Sequence, residues 1–136
     1  MGQGVRFAFA GGVVTLVYLA STTLLATVVG LPFEAALAIG FVIAISAHFT
    51  LQRLFVWTHH EEFALPLRHQ VARYLLAASV QYGITAASTA VLPSALGLPT
   101  EVVYLATAAV VLCTNFLVFR NGIFHPKPAD EIVSTT

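Results

Sequence analysis

The chain has 136 residues, of which 58% are apolar and only 9% charged, whereas soluble domains carry about a quarter charged residues. That is too little charge to coat such an apolar core in water, and six cations spread among six acids at zero formal net charge leave no nucleic-acid-binding surface. Hydrocarbon is the solvent this composition suits.

Arg6 and Glu34 bracket 27 uncharged residues and Glu34 and Arg53 bracket 18; the same two counts recur between Arg73, Glu101 and Arg120. Each run meets the roughly 18 to 20 residues a helix needs to cross ~30 Å of hydrocarbon at ~1.5 Å per residue. The reading is an all-α, integral membrane protein with four transmembrane helices.

The first span, about residues 6–29, carries Thr15, Tyr18 and Thr22 at helical spacing. Lipid offers such groups no hydrogen-bond partner, so this face is expected to turn inward. Ala8 with Gly12, and Gly11 beside it, permit close helix approach in the small-xxx-small manner. A cation followed by an apolar run is also the shape of a cleaved signal, but this run is too long and recurs downstream, so it is kept as a span. Gly30-Leu31-Pro32 ends it at a glycine and lets a new helix start at a proline.

The second span, about 33–53, has Glu34 in its first turn, where a carboxylate meets unpaired N–H groups and the positive end of the helix dipole. A proton-coupling role is the alternative for Glu34 and for Glu101. His48 and Gln52 lie four apart on one face with Arg53 beside them, the densest polar cluster in any span. His48 either hydrogen-bonds a neighbouring helix or exploits a titration near physiological pH. Phe55 and Trp57 close the segment at the interface.

Thr58 to Val71 reads as the one sizeable loop. Its His59-His60-Glu61-Glu62 run, with His69 further on, lacks metal-ligand spacing, so a solvated interfacial loop and no metal site are expected. Phe63, Leu65 and Leu67 suit the membrane surface. In the third span, about 73–95, Gln81 is expected to face protein or a water-filled groove, and Ser79 and Gly83 offer a second close-packing pair. The fourth, about 101–120, carries Thr107, Thr114, Asn115 and the single cysteine, Cys113, read as a buried, inert thiol. From His125 onward the chain reads as a flexible tail.

An offset of 67 relates Phe49 to Phe116 and Arg53 to Arg120, and it holds without a gap. Gln3 falls on Gln70, Arg6 on Arg73, Gly30-Leu31-Pro32 on Gly97-Leu98-Pro99, and Glu34 on Glu101. The organisation is a single domain, 1–136, with repeat one at 3–57, an interfacial loop at 58–69, repeat two at 70–124 and a tail at 125–136. Two spans per unit make the repeat a parallel one. All six Lys and Arg fall at the start, the middle or the end of the chain, while the turns within each unit hold no cation. By the positive-inside bias both termini and the central loop are cytoplasmic.

A pseudo-twofold axis along the membrane normal brings Arg53 towards Arg120 if the second and fourth spans face each other. Two guanidiniums there form an anion clamp; the alternative is two topology anchors that snorkel to the headgroups. No nucleophile, paired catalytic carboxylates, nucleotide loop or metal cage is evident in the sequence, so neither an enzyme nor a cofactor is expected.

Residues Arg6 to Thr15 resemble the opening of the GtrA-like family, and the segments around Arg53 and Arg120 resemble its paired N-F-x-x-x-R motif followed by aromatics. Two departures stand out: His48 occupies the place of the first motif's Asn, and Gly122-Ile123-Phe124 replaces the second motif's Trp-Val-Phe. The resemblance implies a multi-pass protein of the cytoplasmic (inner) membrane that flips polyprenyl-phosphate-linked monosaccharide outward for polysaccharide or cell-wall glycosylation. On that reading Arg53 and Arg120 hold the phosphate. His48, Gln52, Asn115, Gln81 and Thr15 line a polar path, and Glu34 and Glu101 meet the sugar or the exit on the outer side. The competing reading is a non-transporting adaptor that anchors or recruits a glycosyltransferase. A homodimer is one assembly that the small-residue faces allow. An exporter of organic cations needs an acidic residue deep in a span, and the sequence has none there.

Overall fold

The computed structural model of the protein describes residues 2–58 and 62–129. The four uncharged runs become α1 (Gln3–Thr27), α2 (Phe33–Leu51), α3 (Leu67–Leu96) and α4 (Thr100–Val118). A π-helical turn extends α2 over Gln52–Val56, and another extends α4 over Phe119–Ile123. With those extensions, the described residues contain four helices long and apolar enough to cross a membrane. The chain divides after Thr58 into two compact units, each an antiparallel hairpin.

Local chemistry sets the hairpin turns alike. Gly30 and Gly97 adopt φ of 78° and 66°, the left-handed region where a side chain would be strained. Pro32 and Pro99 then cap the next helix, accepting from Ala36 N–H at 2.9 Å and Val103 N–H at 3.2 Å. Glu34 and Glu101 stand exposed in the first turns of α2 and α4.

The helices of the two hairpins pack differently, and three equivalent positions explain it. In the first, Ala36, Gly40 and Ala44 form a buried, small stripe on α2. A Cβ at Gly40 would strike Thr22 Oγ1 on α1 and lie 3.4 Å from Ser21 Oγ. In the second, the same positions hold Val103, Thr107 and Val111, and branched side chains hold helix axes apart where glycine and alanine let them close. The close-packing glycine is therefore Gly40. A Cβ built at Gly11, Gly12 or Gly83 would meet nothing within 4 Å, so within their own hairpins these glycines are not close contacts.

The hydroxyls also depart from expectation. Thr15 is exposed and donates to Gly11 O at 3.0 Å; Ser79 donates to Leu75 O at 2.9 Å and Thr114 to Val110 O at 2.9 Å. A Ser or Thr that bonds the carbonyl four residues back needs no partner from a second helix, so it can face outward. Only Thr22 of the first polar face is buried. Cys113 is exposed rather than buried, one more small group on helices whose outer faces are apolar, as Leu16, Tyr82 and Leu105 show.

Two boundaries move. α3 begins at Leu67, inside the expected loop, because Pro66 serves as its N-cap and accepts from His69 and Gln70 N–H at 2.9 and 3.1 Å. The start of the expected tail is held: Ala64 N–H donates to His125 O at 3.1 Å and Lys127 N–H to Glu62 O at 3.0 Å, around an antiparallel bridge between Phe63 and Pro126. Phe63 also packs on Phe124 at 6.1 Å. Residues 59–61 and 130–136 lie outside the described residues, so most of the His59-His60-Glu61-Glu62 run does too.

Candidate functional site

Each hairpin ends its second helix in the same device. The π-turns close with Trp57 N–H donating to Gln52 O at 2.9 Å and Phe124 N–H donating to Phe119 O at 2.8 Å. A bond across five residues widens the turn, so side chains five apart share a face. Arg53 and Arg120 occupy the second position of each turn; Arg53 is half-buried and Arg120 exposed.

A widened turn at a helix C-terminus leaves backbone carbonyls without intrahelical donors. An arginine from the first helix of the same hairpin answers them. Arg6 Nη1 donates to Phe55 O at 3.4 Å and to Thr58 Oγ1 at 2.7 Å, with its guanidinium 5.8 Å from the centre of the Phe55 ring. Arg73 Nη1 donates to Gly122 O at 2.8 Å. Phe55 and Gly122 are themselves related by the repeat, so the tie is made twice at one place. Cations at the negative end of the helix dipole are favoured as well.

Beneath the first π-turn lies a polar relay. Gln52 is fully buried; its Oε1 accepts from Trp57 Nε1 at 2.8 Å, and its Nε2 lies 2.9 Å from His48 Nε2. An indole only donates, so it fixes which end of the amide faces it. The Gln52 nitrogen must then donate to His48, whose Nε2 accepts and carries no proton. In the second unit the positions of Gln52 and Trp57 are taken by Phe119 and Phe124, packed edge to face at 6.1 Å. Tyr74 adds a ring 5.5 Å from Phe119. One polar pair and one aromatic pair thus fill equivalent places.

The second unit's polar contact lies deeper in the hairpin. Asn115 Nδ2 donates to Gln81 Oε1 at 2.5 Å, linking α4 to α3, and both residues are half-buried. They form part of the wall of a groove of about 490 Å³ between these helices, otherwise lined chiefly by apolar side chains such as Leu76, Val80 and Val110, with Arg73 at its π-turn end. Glu101 borders a separate, shallow cavity with Thr89 and Tyr104. Of the residues expected on the polar path, the structure therefore joins His48 to Gln52 and Gln81 to Asn115, while Thr15 bonds its own helix. Among the described residues no cluster of three His, Cys, Asp or Glu stands ready for a metal ion.

Arg6 and Arg73 escaped the sequence reading as site residues, although their shared offset was visible, because a cation at a span's end is accounted for by topology alone. The bond between Gln52 and Trp57 escaped it too, since five-residue spacing opposes side chains on an ordinary helix.

Two like hairpins of membrane-spanning length, each closed by an arginine-bearing π-turn, define a multi-pass membrane protein built by duplication. The chain belongs to the GtrA/DPMS transmembrane-domain family, whose model matches residues 6–124. That family is tied to membrane processes involving polyprenyl-phosphate sugars. No curated protein and no solved structure matches the chain.

Proposed function

We propose that this protein carries polyprenyl-phosphate-linked monosaccharide across the cytoplasmic membrane without chemical change, both termini and the π-turns lying on the cytoplasmic side. The observation that supports this most is the twice-built π-turn, which sets Arg53 and Arg120 at equivalent places near a span's end. A guanidinium there meets a phosphate at headgroup depth, and its planar fork matches two phosphate oxygens. The lipid tail stays in hydrocarbon, so only a small polar head needs shelter from amides such as Gln81 and Asn115. On this reading Glu34 and Glu101, at the opposite ends of α2 and α4, accept from sugar hydroxyls on the outer side.

Liposomes containing the purified protein and a fluorescent polyprenyl-phosphate monosaccharide test the reading. A membrane-impermeant quencher reports how much headgroup reaches the far leaflet. Transfer above that of protein-free liposomes is expected. Its absence, together with capture of a glycosyltransferase from the same membrane, favours the adaptor role instead.

A further inference from the structure

The two hairpins share a plan but differ in the residues at three equivalent positions of their second helices. Ala36, Gly40 and Ala44 seat α2 against α1; Val103, Thr107 and Val111 occupy the same positions of α4. The groove of about 490 Å³ opens between α3 and α4, within the ~300 to 1,000 Å³ of pockets that hold small molecules. Its lining on α3 runs from Arg73 to Ile84 in steps of three and four, a stripe about 16 Å long at ~1.5 Å per residue.

The walls are apolar for most of that length, and the one charged residue among them, Arg73, sits at the π-turn end. One Arg73 nitrogen is engaged with Gly122 O, and a guanidinium carries five N–H donors, so donors remain for an anion. An apolar trough ending in a cation complements a lipid with a single anionic head.

We infer that the α3–α4 groove is a binding site for the proximal prenyl chain of a polyprenyl phosphate, with Arg73, tied to the π-turn that carries Arg120, adding a further guanidinium to the phosphate. The inference rests on the transport reading for its choice of lipid, and it assigns the tail to one hairpin.

The full-length protein in liposomes is tested with a polyprenyl phosphate that carries a diazirine in its first isoprene units and no sugar. After irradiation, mass spectrometry maps the labelled peptides. Label is expected on residues 76–84 and 110–118, displaced by unlabelled polyprenyl phosphate but not by an equal excess of straight-chain phosphatidylglycerol. Val103→Ala with Thr107→Gly and Val111→Ala, which transplants the first hairpin's stripe, is expected to close the groove and cut labelling about tenfold. Val80→Trp, which fills the groove without touching the helix contact, is expected to do the same if the triple variant misfolds.

Label spread over outward faces such as Leu16 and Leu105, equal displacement by the phospholipid, or a groove left unlabelled because the first hairpin fills it overturns the proposal. Liposomes that transport the sugar lipid while the groove stays unlabelled sink this inference alone. Groove labelling without transport sinks the transport reading and leaves the binding site standing.

Discussion

Gly40 shows how much one missing side chain can settle. Its hydrogen faces Thr22, and Gly40→Val is expected to lower stability by about 1–3 kcal/mol through overpacking, read as a fall in melting temperature in detergent. Gly12→Ala and Gly83→Ala have space and should stay within about 0.5 kcal/mol of the parent. A loss as large at Gly12 as at Gly40 would show that the close contact has been placed on the wrong residue. Gln52 is the polar counterpart. Gln52→Leu leaves a buried indole N–H without its acceptor and is expected to cost about 1–3 kcal/mol. Replacing Gln52 and Trp57 together by Phe, the pairing the second unit already uses, should recover part of the loss in a double-mutant cycle. Strict additivity of the two single changes would deny their coupling.

At the scale of the element, the π-turn depends on an arginine borrowed from the other helix of its hairpin. Arg6→Gln and Arg73→Gln remove a charged donor from carbonyls at a helix end, each costing about 1 kcal/mol. Hydrogen exchange gives the more specific readout: the amides of Trp57 and Phe124, which close the two turns, should exchange faster while mid-helix amides keep their protection. Uniform acceleration along the helix would mean that these arginines stabilise the hairpin generally rather than its end. Gly97 ends α3 with φ of 66°, and Gly97→Ala is expected to cost roughly 1 kcal/mol by forcing a Cβ into that region.

For the whole molecule, the proposal turns on orientation and on the two arginines at the second position of the π-turns, Arg53 and Arg120. With Cys113→Ser as background, Thr58→Cys should react with an impermeant maleimide from the cytoplasmic face; labelling from outside would invert the topology. Arg53→Lys and Arg120→Lys keep the charge but lose the planar fork, and each should slow sugar-lipid transfer roughly tenfold, the effect of about 1.4 kcal/mol. Transfer indifferent to both would leave them as anchors at the headgroups.

The sequence alone determined whatever depends on neighbours along the chain. Four uncharged runs of membrane length, glycines where α1 and α3 must turn, Glu34 and Glu101 in first turns and the 67-residue offset all follow from composition and spacing, because hydrogen bonding and solvation within a helix are local. Tertiary structure decided the rest. Whether a glycine is a contact depends on what stands opposite it, so Gly40 could not be told from Gly12. Thr15 faced outward once its hydroxyl had its own helix's carbonyl to bond. The π-turns arose where a helix end met an arginine and an aromatic from elsewhere in its hairpin, and no local signal separates them from ordinary helix. The groove's wall includes Val111 where the other copy has Ala44. That difference was present in the sequence, but it acquired meaning only when the helices were seen side by side.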